Sequence, residues 1–389
     1  MRRLALALSL AAGPLAAQGV PCGGPFPAFL DGLRAEALDR GIDPAAADAL
    51  LDGARLDEAV LAADRRQGVF QLDFITFSRR LISQNRIDNG RIYGDRYDAV
   101  FDRIEAEYGI PRGVLLAFWA FETDFGQVQG DFNTRDALVT LAHDCRRPEL
   151  FRPQIFAAME LLARGDFSTD TTGAWAGEIG QVQMLPGDIL ENGRDGDGDG
   201  HVTLKTSAPD ALLSGAAMLS DLGWRPNEPW LQEIVVPETL DWSLTGLDKT
   251  RTVAEWQAMG VRARTGDLGP ADLPASVLLP MGRNGPAFLA YPNFNVYFEW
   301  NKSFVYVTTA AYFATRLMGA PVYGPGNPSP ALSGDEMILL QEKLTARGHD
   351  VGGIDGILGA MTRAAVQAEQ ERLGLPADAW PTKELLDAL

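Results

Sequence analysis

The run Val114-Leu-Leu-Ala-Phe-Trp-Ala-Phe121 is followed without a break by Glu122 and then by Thr-Asp-Phe-Gly126. Pro111 supplies a proline for the first helical turn and Gly126 a left-handed stop, so the spacing predicts a helix of about four turns between them. Apolar residues cover nearly its whole circumference, and a helix of that kind belongs in a protein interior. The fold must therefore close around this helix and accommodate a carboxyl group on it. An unpaired carboxylate there costs several kcal/mol unless it keeps its proton, with its pKa pushed toward neutrality. Two readings follow. Glu122 is salt-bridged to an arginine such as Arg112 or Arg135, or it is a carboxylic acid still protonated near neutral pH, which is what general-acid cleavage of a glycosidic bond requires.

Elsewhere in the first half the apolar spacing is also helical: Phe29, Leu30 and Leu33, then Val60 and Leu61, then Val100, Phe101, Ile104 and Tyr108, then Leu150 to Arg164. Between about 225 and 290 prolines become denser and strand-like pieces such as Glu233–Val236 and Ser276–Leu279 appear. The fold class expected is mainly α (α+β): a helical lobe with a small mixed insertion, returning to helix at Ser303–Met318. Gly319 to Gly334 is rich in Pro and Gly and nearly uncharged, the composition of a flexible linker. The tail reads as three short helices around one small core. The expected division is 1–17 signal, 22–320 main lobe, 321–333 linker and 334–389 tail.

Residues 1–17 have a basic start, an apolar stretch and a small-residue end, as a secretory signal does; the stretch is too short to span a bilayer. No later stretch is long and apolar enough for a membrane helix, so the expectation is a soluble exported protein. The two cysteines, Cys22 and Cys145, both lie in the exported part, where an even pair reads as one disulfide, two free thiols being the alternative. A formal charge of −18 disfavours nucleic acid and anionic membrane surfaces as partners.

Three further segments carry chemistry. In Gly173-Ala-Trp-Ala-Gly-Glu-Ile-Gly-Gln181-Val-Gln183-Met-Leu-Pro186 the glycines permit close backbone approach, and the two amides both donate and accept, as saccharide hydroxyl and acetamido groups require. A tight packing turn with surface glutamines would look the same. In Asp195-Gly-Asp197-Gly-Asp199-Gly-His201 alternating carboxylates match the first half of a calcium loop; position twelve is Thr206 rather than glutamate, and Asp210 could close the site from the next helix. A solvated acidic loop is the alternative. Tyr291 to Tyr306 interleaves aromatics with amides, as stacked sugar rings or an aromatic core would. The three histidines, His143, His201 and His349, are not in zinc-ligand spacing, and no phosphate or dinucleotide fingerprint occurs.

Together these residues resemble the lytic murein transglycosylase B family, glycoside hydrolase family 103. Ala120-Phe-Glu122-Thr-Asp-Phe-Gly126 resembles its catalytic Glu-Thr motif, Ala176 to Pro186 its glycine–glutamine motif, Asp197-Gly-Asp-Gly-His201 with Asp210 its calcium loop, and Asn293-Phe with Trp300-Asn301-Lys-Ser303 and Tyr306 its late aromatic motif. Ala174, Val182, Met218 and Trp300 depart from the residues usual there. The tail, with Gly353-Ile-Asp355-Gly356 and Gly359-Ala-Met-Thr362-Arg363-Ala, resembles a peptidoglycan-binding domain.

The resemblance implies a lysozyme-like lobe in the periplasm, acting on the glycan strands of peptidoglycan. It cleaves the β-1,4 bond between N-acetylmuramic acid and N-acetylglucosamine without water, leaving 1,6-anhydro ends. Glu122 would be the only acid and base, since Asp124, two residues on, points to another helix face. Gln181, Gln183, Trp300, Asn301 and Tyr306 would position substrate. A structural Ca2+ would sit among Asp195, Asp197, Asp199, His201 and Asp210, with no organic cofactor. The alternatives are a hydrolytic muramidase, a catalytically silent wall-binding protein and, furthest away, a calcium-dependent adhesin.

Overall fold

A computed structural model describes residues 19–66 and 72–389 of the chain; the signal expected at residues 1–17 lies outside them. The architecture is mainly helical, as the spacing predicts. Helix Arg112–Thr123 forms its centre, with every residue from Gly113 to Ala120 buried. Helices Phe304–Leu317, Gln84–Arg96, Asp98–Tyr108 and Ala208–Asp221 pack around it. Its approach to Phe304–Leu317 is made close by Gly113, where an added Cβ would lie 2.7 Å from the Ala314 carbonyl oxygen.

The helix ends earlier than the expected stop at Gly126. Asp124, Phe125 and Gly126 are all left-handed, with φ of 51°, 61° and 83°. Such backbone costs a non-glycine residue about 1–2 kcal/mol. Two contacts offset it: Phe125 turns inward against Trp119 and Tyr93, with ring centroids 5.5 and 5.0 Å away, and Asp124 meets Arg86 at 3.1 Å.

Within the insertion, five strands form an antiparallel sheet in the order Arg251–Thr252, Pro274–Leu278, Ala287–Ala290, Leu231–Val235 and Arg262–Ala263. Its central strand, Ala287–Ala290, reads as a continuous apolar run because both faces are covered. Phe288 and Ala290 join the main core, whereas Ala287 and Leu289 face a second core built on Trp256, Val253 and Leu240. Cys22 and Cys145 form the expected disulfide, which closes 123 residues and pins the segment before helix Phe26–Asp39 beside His143.

The tail contains helices Gly334–Ala346, Ala360–Leu373 and Lys383–Ala388 around one core. The connecting segment lies on the lobe, with Tyr323 buried and Asn327 N–H donating to Asn284 O at 2.7 Å. Beyond it the tail docks through polar contacts that composition does not reveal. Gln367 Nε2 donates to Thr245 O at 2.8 Å, and Arg283 pairs with Asp378 at 3.1 Å. Arg363 donates to Pro280 O at 2.7 Å and lies 4.4 Å over the ring of Phe304. Crevices of about 250 and 280 Å3 flank Arg363 at this junction. Among the described residues no helix is long and apolar enough to cross a membrane.

Candidate active site

Glu122 occupies the last turn of the central helix and is half-buried. The ion-pair reading fails: Arg112 pairs with Asp98 and Asp102, and Arg135 with Asp136. Instead two neutral donors meet one oxygen. Trp300 Nε1 donates to Glu122 Oε1 at 3.1 Å and the Tyr306 hydroxyl donates to the same atom at 2.5 Å. Trp300 stacks on Phe118, one turn back along the helix, at 4.4 Å between centroids. Tyr306 begins helix Phe304–Leu317, which Ser303 caps at its N-terminus. Burial pushes the Glu122 carboxyl up to about 7; the Tyr306 and Trp300 hydrogen bonds pull the other way, and the charge of Glu178 adds to the rise. Tyr306 is held well above its ordinary range by burial and by Glu122, so it stays a donor.

Near neutral pH such a group is present in both forms, which suits one residue that must give a proton and then take one. With both hydrogen bonds on Oε1, Oε2 is the oxygen left to carry the proton. Replacing Tyr306 by Phe removes the stronger of the two downward influences. The expected result is an alkaline limb of the pH–rate profile displaced upward by about one unit with kcat down roughly ten-fold, since a hydrogen bond to a charged group is worth ~1.5–3 kcal/mol. A limb that stays in place would exclude Tyr306 as the tuning group.

The other amide candidates take different parts. Gln181 is buried; its Oε1 accepts from Trp119 Nε1 at 3.1 Å and its backbone oxygen from Thr123 Oγ1 at 2.6 Å. Its place is to bolt the glycine segment to the end of the central helix, and Gly126 makes room: a Cβ there would lie 2.6 Å from Gln181 Oε1. Gln183 has a φ of 54°, backbone strain of the kind that collects at functional sites. Its Nε2 donates to Gly180 O at 2.8 Å, and its Oε1 takes no hydrogen bond among the described residues. Asn301 Oδ1 accepts from Ser303 N at 2.9 Å and so shapes the turn ahead of Tyr306. Of the departures, Val182 is fully buried and Met218 packs against the core, while Trp300 supplies its donor directly to Glu122.

Sequence reasoning passed over Glu178, a carboxylate in the same glycine segment. With Gly177 and Gly180 around it the segment reads as an exposed turn, and only the fold shows that its neighbours Ala176 and Ile179 are buried.

In the acidic loop, oxygens of Asp195, Asp197 and Asp210 lie within 4.8 Å of one another. Asp210 is fully buried, accepts from Gly196 N at 2.9 Å and from Thr203 N at 2.7 Å, and closes the set as its spacing suggested. Two expected ligands are not part of this cluster. Asp199 is exposed and caps its own turn through His201 N, and the His201 ring reaches Asp166 at 3.0 Å. Their side chains point along the loop because the glycines at 198 and 200 turn it left-handed on either side of Asp199.

Residues 25–315 match the transglycosylase SLT domain family, and residues 333–389 a peptidoglycan binding domain family. Membrane-bound lytic murein transglycosylase B of Escherichia coli (strain K12) is 29% identical over 154 residues, 39% of this chain and 42% of that protein. The alignment thus spans less than half of that relative. Among solved structures, SltB3 from Pseudomonas aeruginosa in complex with NAG-anhNAM-pentapeptide superposes with a TM-score of 0.85 at 35% identity, covering 94% of this chain and 99% of that one. SltB1 from the same organism gives 0.65 at 25% identity over 75% of this chain and 99% of that one. These likenesses bear out the mainly helical, lysozyme-like fold expected from the sequence. With three quarters of its length matched by the first of these families, and Glu122, Gln183, Trp300 and Tyr306 within the match, the chain belongs to the transglycosylase SLT domain family.

Proposed function

We propose that this protein is a peptidoglycan lytic transglycosylase that cleaves the β-1,4 bond between N-acetylmuramic acid and N-acetylglucosamine without water. The observation that carries the reading is Glu122: a half-buried carboxyl raised to about 7 that, among the described residues, pairs with no arginine and accepts hydrogen bonds from Trp300 and Tyr306. Protonated Glu122 gives its proton from Oε2 to the glycosidic oxygen as the C1–O4 bond breaks. The substrate's own N-acetyl oxygen covers the positive charge at C1. Glu122, now a carboxylate, takes the proton of the muramoyl 6-hydroxyl as O6 bonds to C1. The acid is restored, and the product carries a 1,6-anhydro ring.

A hydrolase would use a second carboxylate to activate water. Asp124 is not available for that task, because it is the left-handed cap of the helix and pairs with Arg86. Mass spectrometry of digested cell-wall sacculi decides the matter, since anhydro ends are lighter than reducing ends by one water. Reducing ends would establish a muramidase, and intact sacculi a wall-binding protein.

Peptidoglycan as substrate supports a periplasmic location, with residues 1–17 serving as the export signal. The docked tail would give the same polymer a second hold. Asp195, Asp197 and Asp210 offer an all-oxygen set that fits a hard dication such as Ca2+, whose part would be to fix the loop ahead of helix Ala208–Asp221. Adding Ca2+ at about 100 times its dissociation constant should raise unfolding free energy by about 2.7 kcal/mol, read as a Tm increase that Mg2+ does not reproduce. An unchanged Tm would leave the loop a purely hydrogen-bonded turn.

A further inference from the structure

Arg86 stands in the first turn of helix Gln84–Arg96, which Ser83 caps, and its guanidinium reaches across to the carboxy-terminal end of the central helix. It uses two nitrogens on two different elements. Nε donates to Asp124 Oδ1 at 3.1 Å, and Nη1 donates at 3.0 Å to the backbone oxygen of Leu81, the last residue of helix Phe74–Leu81. Its Cζ lies 5.7 Å from the ring centroid of Phe121. Phe121 precedes Glu122 directly and Asp124 follows it by two residues, so one planar cation holds the chain on both sides of the acid.

A helix tends to fray where its last carbonyls lack partners within it, and Glu122 sits in that last turn. Three contacts close the end. Thr123 Oγ1 donates to Gln181 O at 2.6 Å on the buried side, Phe125 packs on Trp119, and Arg86 pairs with Asp124 on the more open side. The Arg86 contact extends to the tyrosine as well. Phe121, beneath the guanidinium, meets the Tyr306 ring edge-on at 5.9 Å and stacks on Phe313 at 5.0 Å between centroids. Tyr306 and Phe313 both belong to helix Phe304–Leu317, so the acid and its tyrosine donor are referred to the same side chain. A partly exposed ion pair such as Arg86–Asp124 adds little to stability. What its geometry fixes is a place, and Glu122 must give its proton and take one back from a single place.

We propose that Arg86 is a positioning residue of the active site: by holding Asp124 and Phe121 it sets where the Glu122 carboxyl group stands relative to Tyr306. The reaction it serves rests on the peptidoglycan reading above. Its effect runs through Glu122, so kcat depends on it and KM does not.

The test uses the full chain as wild type, Arg86→Ala, Arg86→Lys and Asp124→Gly, with kcat and KM measured on soluble glycan strands. Arg86→Ala should lower kcat about ten- to a hundred-fold with KM within a few-fold, the scale of loss when a reacting group is misplaced by about 1 Å. Arg86→Lys keeps the charge but brings one nitrogen to two separate acceptors, so it should recover only part of that loss. Asp124→Gly removes the carboxylate without straining left-handed backbone and should reproduce the fall. The double variant Arg86→Ala, Asp124→Gly should fall no further than Arg86→Ala, because the two side chains act as one contact. Additive losses, a folded Arg86→Ala with wild-type kcat, or a loss confined to KM each overturn the proposal.

Crystal structures of wild type and Arg86→Ala read the placement without turnover. The Glu122 carboxyl group should shift by about 1 Å and part from the Tyr306 hydroxyl. An unmoved carboxyl group overturns the proposal. Should Arg86→Ala not fold, Arg86→Lys and Asp124→Gly carry both readouts. A wild type that leaves glycan intact would sink the peptidoglycan reading, while the shift still judges Arg86 on its own.

Discussion

Glu122→Gln should lower turnover of peptidoglycan by about 10³-fold or more, because one side chain supplies both the acid and the base and each general acid–base contribution is worth roughly 10²–10⁴. Release of anhydro-muropeptides, followed by mass spectrometry, measures it. Unchanged release would remove Glu122 from the mechanism. The same variant should be more stable than wild type, and the pH dependence of the gain is specific. Glu122 is raised in the fold from 4.5 to about 7, so between those values the folded chain holds a proton that the unfolded chain has released. Stability therefore falls as pH rises through that window, and above about 7 the full penalty of a buried carboxylate is present. Glutamine carries none of it. The expected gain is roughly 2 kcal/mol at pH 8 and little at pH 5, read as a difference in denaturation midpoints. An equal gain at both values would mean that packing, not ionisation, is what the substitution changes.

Removing the disulfide is the second large effect. Cys22 and Cys145 close a loop of 123 residues, and a cross-link over that length restricts the unfolded chain by an amount worth about 3–5 kcal/mol. The paired substitutions Cys22→Ser and Cys145→Ser should lower the unfolding free energy by that much. The loss should appear first at the amino-terminal helix Phe26–Asp39, which the bridge holds beside His143. Hydrogen exchange locates the loosened region and urea titration gives the total. A midpoint that does not move would show that packing of Phe29 and Leu33 alone secures that helix.

How much of this was readable in the chain differs from feature to feature, for physical reasons. The central helix and its acid were legible because eight apolar residues in succession leave no other place for Val114 to Phe121 than the core. Its last turn was not, because Asp124 and Phe125 take left-handed backbone only under tertiary contacts with Arg86 and Trp119. The strands at Leu231–Val235 and Pro274–Leu278 were visible in the strand-like pieces Glu233–Val236 and Ser276–Leu279, whereas the pairing of Leu231–Val235 with Ala287–Ala290 joins residues far apart in the chain. In the acidic loop, alternation pointed to all of Asp195, Asp197 and Asp199, yet only the fold decides that Asp199 turns outward. Glu178 escaped because a carboxylate among glycines reads as an exposed turn until its neighbours are known to be buried.

In the proposed activity, the docking of the tail bears on where a long polymer would be cut. Arg363 rests on Phe304, two residues before the tyrosine that touches Glu122. Anything gripped by the tail therefore meets the acid at a single offset, as between the jaws of a caliper. A hinged attachment would spread the same encounters over many spacings.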